Sequence, residues 1–155
     1  MRAEECRAAI EADGAWPDGV LLQAGVGGLA AAFAAHVRET WPVQPRITVV
    51  EPDRAACLLE SARAGRPTRA SGAASSMGRL DCKDASLIAF DSLRNDADAF
   101  VTVSDAEAEE AAALYARHGL RTTPSGAAPL AALAAGRGEA GDCLVVATEG
   151  AAAAG

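Results

Sequence analysis

The stretch that most constrains this chain is VLLQAGVGGLAAAFAAH, Val20 to His36. An apolar run enters a glycine cluster and leaves as an alanine-rich helix. A buried strand that turns directly into a helix returns to its sheet by a crossover, so the next strand lies parallel to it. Gly25 and Gly27 permit a sharp turn with positive φ and let an anion approach the backbone. The helix that follows presents free N–H groups and the positive end of its dipole, and a phosphate needs no basic side chain there. Gly25, Gly27 and Ala30 also satisfy the G-x-G-x-x-A pattern of a dinucleotide-binding turn. A tight turn packed on a neighbour selects glycine as well. The motif by itself leaves phosphate binding and plain packing both open.

The rest of the chain repeats the strand-then-helix rhythm. Residues 2–12 read as a helix, 19–24 as a buried strand and 28–39 as the helix after the glycine turn. RITVVEP, 46–52, reads as a second strand, with Asp53 as the expected N-cap of a helix over 54–63. Residues 64–80 are rich in Gly, Ser, Pro and Arg and read as a long loop. A helix over 86–96 and a strand over 98–104 follow, and Ser104 with Glu107 has the spacing of a capping box. That helix runs to about His118, and Gly119 ends it. Another helix starts at Ser125, and 143–150 reads as the last strand. The expected fold class is therefore α/β, a three-layer α/β/α arrangement with a mostly parallel sheet. Residues 1–150 form one domain, and 151–155 are expected to fray.

Composition narrows the function classes. A chain of 155 residues with 50% hydrophobic and 23% charged residues is globular, and 4% aromatics leave its core to Ala, Val, Leu and Ile. A net charge of -7 argues against a nucleic-acid surface. No apolar stretch is long and glycine-free enough to cross a bilayer, and the N-terminus lacks the apolar core of a signal peptide. Cys6, Cys57, Cys82 and Cys143 show no C-x-x-C spacing, so no metal site is expected and the thiols read as reduced in a cytoplasmic protein. His36 and His118 lack partners at metal-ligand spacing and read as structural or solvated. Arg63, Arg66, Arg69 and Arg79 read as solvated loop charge, and Glu107, Glu109 and Glu110 as a solvated helix face.

The dinucleotide reading expects an acidic residue at the end of the second strand, and Glu51 and Asp53 stand there. The wider sequence carries a better match. QAGVGGLAAA, VVEPDRAACLLES, LDCKDASLIAFDSLRNDADAFVTVSD, PSGAA and VVATEGA occur in that order. In this they resemble the C-terminal portion of the diaminopropionate ammonia-lyase family, fold-type II pyridoxal-phosphate enzymes similar to threonine dehydratase and tryptophan synthase β. The resemblance implies that Gly25, Val26, Gly27, Gly28 and Leu29 hold the phosphate of pyridoxal 5′-phosphate through backbone amides. It implies that Ser125 hydrogen-bonds the pyridine nitrogen; read from the residues alone, Ser125 is a helix N-cap. The implied reaction is loss of ammonia from 2,3-diaminopropionate, a small amino-acid substrate, giving pyruvate and a second ammonia.

The sequence also departs from that family. Its Schiff-base lysine and acid–base groups belong to an N-terminal half that these residues do not match, so no catalytic residue is assigned. Lys83, the only lysine, reads as non-catalytic. Pro129 stands where a glycine is usual, and no acidic residue follows TEG. The expected partner is a second copy or a separately encoded N-terminal half, docked on an exposed apolar, glycine-lined face, and the chain alone is expected to be inactive. Cys57 and Cys82, both cysteine-bearing positions in the family, are candidates for a disulfide across the loop. A nicotinamide- or flavin-binding Rossmann domain and a non-catalytic interaction module stand as alternatives.

Overall fold

A computed structural model describes residues 3–150; the expected fraying of 151–155 falls outside them. In chain order the elements are α1 (Ala3–Asp13), β1 (Gly19–Gln23), α2 (Gly28–Thr40), β2 (Arg46–Pro52) and α3 (Cys57–Ala64). Then come α4 (Leu87–Asp96), β3 (Ala99–Val103), α5 (Asp105–Arg117), α6 (Pro124–Ala134) and β4 (Cys143–Val145). The four strands lie in the order β3-β2-β1-β4 and every pairing is parallel. Val20 of β1 stands opposite Ile47 of β2 and Leu144 of β4. This is the three-layer α/β architecture the alternation implies.

Strand side chains alternate between two faces. Val20, Leu22, Ile47 and Val49 enter one core with Phe33, Val37, Leu58, Phe90 and Leu93 from α2, α3 and α4. Leu21, Val50 and Val103 enter the other with Ala108 and Ala111 of α5 and Ala127, Ala128, Ala131 and Ala132 of α6. The first core mixes these large side chains with alanines such as Ala30, Ala34 and Ala89. In the second, Met77 and Leu80 pack beside the alanines of α5 and α6, whose methyl groups let α6 approach the sheet closely. Both faces of the central strands are buried, which is why β1 reads as a continuous apolar run rather than an alternating one.

Most boundaries fall within a residue of the sequence expectation, and three differences have a local reason. Helix α3 begins at Cys57 rather than 54, because Ala55 N donates to Pro52 O at 3.0 Å and closes a turn first. Asp53 therefore does not cap it. Helix α6 is capped by Thr123, whose hydroxyl accepts from Gly126 N at 3.2 Å, so Ser125 lies inside the first turn. Strand β4 stops at Val145 instead of running to Gly150. Beyond it the chain crosses the strand ends, where Gln23 Nε2 donates to Thr148 Oγ1 at 2.8 Å and Thr122 Oγ1 donates to Glu149 O at 2.7 Å. Among the described residues no helix is long and apolar enough to cross a membrane.

The capping box at α5 forms as its spacing predicts. Ser104 Oγ accepts from Glu107 N at 3.2 Å and Glu107 Oε2 accepts from Ser104 N at 2.8 Å. Arg137 also binds Glu107, and its guanidinium, then the Ser104 N–H, hold that carboxyl down to about 2. Ser104→Ala is expected to lower stability by about 1 kcal/mol with an unchanged urea m-value. An unshifted urea midpoint would show that the box contributes nothing.

Candidate functional site

The site is built where β1 ends and α2 begins. Gly25 is required by close approach: a Cβ there would lie 2.9 Å from Arg79 O and 3.1 Å from Cys82 Sγ. Gly27 is required twice over. Its φ is +98, and a Cβ would meet Ala89 Cβ at 3.1 Å and Leu58 Cδ1 at 3.2 Å. Gly28 is different: a Cβ there meets nothing within 4 Å. Packing explains two of the three glycines, and the third faces open space.

That space is a cavity of about 230 Å³ lined by Gly25, Val26, Gly27, Gly28 and Leu29 together with Gln23, Ala24, Arg79, Leu80 and Cys82. All five loop residues named from the sequence thus share one wall. The N-terminus of α2 opens on the same cavity and no side chain caps it. Its neighbours contrast with it. Ser86 caps α4, Ser104 caps α5, Thr123 caps α6, and the first turn of α3 is satisfied by Glu51. An uncapped helix start beside an open glycine backbone leaves N–H donors that an anion could use.

Ser125 does not line the cavity, but it is one hydrogen bond away. Its buried Oγ accepts from the backbone N of Arg79, a lining residue, at 3.3 Å. Arg79 also pairs through Nε with Glu149 Oε2 at 3.0 Å. The glycine loop, PSGAA and TEG therefore meet at Arg79. Sequence reasoning placed Arg79 among solvated loop charges and did not single out Gln23, Leu80 or Cys82 for this wall. A polar glutamine closing an otherwise apolar strand was the available signal for Gln23.

Glu51 does not serve a ribose. It is fully buried, and its carboxylate accepts from Leu58 N at 2.7 Å and Leu59 N at 2.8 Å, capping α3 from the end of β2. Burial pushes its carboxyl up to about 7, although the two backbone N–H groups pull the other way. The adjacent Cys57 thiol lies 3.7 Å from Glu51 Oε1 and 3.6 Å from Gly25 O. Burial and then Glu51 push that thiol up to about 12, so it is no nucleophile. Cys57 and Cys82 flank Gly25 as free thiols, and the expected disulfide is not formed. Lys83 Nζ is held by Arg54 O, Ala73 O and Asp81 Oδ1. His36 meets Glu4 of α1 at 3.1 Å. Among the described residues no group of His, Cys, Asp and Glu is arranged to hold a metal ion.

Sequence and fold both match known proteins. A family profile described as "Pyridoxal-phosphate dependent enzyme" matches residues 4–149. Diaminopropionate ammonia-lyase of Escherichia coli K12 is 32% identical over 108 residues, 68% of this chain and 27% of that protein. The crystal structure of Escherichia coli diaminopropionate ammonia-lyase with an aminoacrylate–PLP azomethine reaction intermediate superposes with a TM-score of 0.84. It is 28% identical and covers 96% of this chain and 43% of its own. The threonine deaminase of T.th. gives a TM-score of 0.79 at 31% identity, over 86% of this chain and 49% of its own. The chain spans about a quarter of the length of the curated relative, and less than half of either structure.

The buried carboxylate sets a pH dependence. Glu51 has a folded value near 7, above its ordinary 4.5, so its contribution to stability is fully present below pH 4.5 and is lost as pH rises to about 7. Relative to Glu51→Gln, which cannot ionise, the wild type is expected to lose about 3 kcal/mol across that window. Urea unfolding at a series of pH values reads the difference. Parallel curves for the two proteins would refute it.

Proposed function

The chain belongs to the family of pyridoxal-phosphate dependent enzymes, and we propose that its cavity holds pyridoxal 5′-phosphate for a carbon–nitrogen lyase acting on 2,3-diaminopropionate. The observation that carries the binding half of this reading is the uncapped α2 N-terminus facing open space at Gly28. A phosphate dianion there would accept from the loop amides and meet the positive end of α2, with no acidic side chain among the lining residues to repel it. Support for the substrate class comes from the 32% identity to diaminopropionate ammonia-lyase. Threonine deaminase stands beside it at similar identity, so the hydroxy amino acids are the competing class.

Bound pyridoxal phosphate supplies the electron sink for charge that develops at a substrate α-carbon. The chain's own residues contribute binding and orientation. Ser125 Oγ already accepts from Arg79 N, which leaves its proton to donate toward a ring nitrogen. A neutral hydroxyl leaves that nitrogen largely unprotonated and moderates the sink, which suits β-elimination. Gln23, tied to Thr148, and the Arg79–Glu149 pair fix the outer wall. Lys83 has all three ammonium protons engaged, so the amine that carries the cofactor would come from outside these residues. Val26, Leu29, Leu87 and Ile88 are exposed apolar side chains, and we read them as the face on which a further lobe would sit.

Titration with pyridoxamine 5′-phosphate tests the reading. The wild-type chain is expected to give saturable heat, and NAD none. Gly28→Val is expected to fold with stability changed by no more than about 1 kcal/mol, since nothing occupies the space, and to lose the binding. Equal binding by this variant, or binding of NAD instead, would overturn the assignment. Incubated with pyridoxal phosphate and diaminopropionate, the chain alone is expected to release no more pyruvate than free cofactor does.

A further inference from the structure

Between Ala64 and Leu87 the chain forms neither helix nor strand. Arg79, Leu80 and Cys82 of that segment nevertheless make the cavity wall that faces the glycine loop, close enough that Gly25 admits no Cβ. A wall without backbone ladders needs another restraint. Lys83 supplies one at an unusual junction. Its Nζ donates to Arg54 O at 2.7 Å, to Ala73 O at 2.8 Å and to Asp81 Oδ1 at 2.7 Å. An ammonium has three N–H groups, and each is used. The acceptors come from the turn after β2, from the middle of the loop and from the wall itself.

Other contacts extend this junction to the cradle. Lys83 O accepts from Ala70 N at 2.8 Å, and Ser86 N donates to Val26 O of the glycine loop at 2.9 Å. Asp105 binds Ser75 and Ser76, and Arg54 Nη1 binds Ala74 O, so those groups restrain residues 74–76. Lys83 carries the restraint on to Asp81, which sits between Leu80 and Cys82. The side chain is 20% exposed, placing the charge-assisted bonds partly out of solvent.

We propose that Lys83 is a positioning residue: its ammonium locks the Arg79–Cys82 wall against the glycine loop and so sets the shape of the anion cradle. This rests on the cradle reading above, and the test separates the two. Lys83→Met removes the charge and the bonds. Lys83→Arg keeps the charge but offers a planar fork that does not satisfy three acceptors converging on one tetrahedral nitrogen. A role through long-range charge would leave the arginine variant like the wild type; a role through geometry makes it resemble the methionine variant.

The measurements are amide hydrogen exchange across residues 70–82 and the dissociation constant for pyridoxamine 5′-phosphate, on the full chain. In both variants exchange in 70–82 is expected to quicken by about tenfold, and affinity to fall by about tenfold, while β1 and β2 amides stay protected. Asp81→Asn, which keeps the lysine and weakens one contact, is expected to fall in between and serves if the other variants unfold. Unchanged exchange in Lys83→Met, or wild-type exchange and affinity in Lys83→Arg, would overturn the proposal. If the wild type binds no pyridoxamine phosphate the cradle reading fails, and the exchange data still decide whether Lys83 holds the wall.

Discussion

The two hydrogen bonds from Leu58 N and Leu59 N to the buried Glu51 carboxylate fix much of what surrounds them. They join the end of β2 to the first turn of α3. That turn in turn brings Cys57 to the Gly25 carbonyl and Leu58 beneath Gly27. The floor of the glycine loop is therefore set by a carboxylate that never reaches the cavity. Burying it is costly, and the elevated proton affinity of Glu51 records that cost. The compensation is a helix start with its orphan donors satisfied inside the protein, where water would otherwise have to enter.

Capping divides the helices by role. In α4, α5 and α6 a serine or threonine takes the first-turn amides, and in α3 a strand-end glutamate does. In α2 a left-handed glycine stands in the cap position and brings no oxygen. Among α2 to α6, the helix that a ligand is expected to complete is the one left without a side-chain cap. At Gly27 packing and an open backbone ask for the same residue, whereas at Gly28 packing asks for nothing.

How much of this was legible in the sequence depends on the range of the interaction involved. The α/β alternation, the glycine turn and the Ser104–Glu107 box are local patterns, and the structure contains all three. What the sequence misassigned was nonlocal. Asp53 looked like the α3 cap because it is adjacent; the actual oxygen is on Glu51, reached only once a turn has moved the helix start to Cys57. Glu51 had the position of a ribose ligand, but its direction, into the protein, is not encoded in spacing. The cavity wall was hidden for the same reason: Arg79, Leu80 and Cys82 lie in a loop whose course is set by Lys83 and Asp105 through contacts that sequence spacing does not reveal. The glycine loop was legible by motif, and its opposing wall only by folding.

The alanine-faced side of the sheet has a consequence for where chemistry sits. Ala127, Ala128, Ala131 and Ala132 set the gap between α6 and the strands, and Ser125 rides at the head of that helix. Each added methylene at those four positions would lift α6 by a fraction of its own diameter and carry the serine hydroxyl with it. The distance between that hydroxyl and the glycine loop is thereby calibrated by some of the smallest side chains in the protein, at positions outside the cavity wall. On the opposite face, large side chains such as Phe33, Leu58, Phe90 and Leu93 share the core with alanines of α2 and α4. Drift under α6 would be transmitted to the serine, and drift at Leu58, Ala89 or Leu93 on the other face to Gly27.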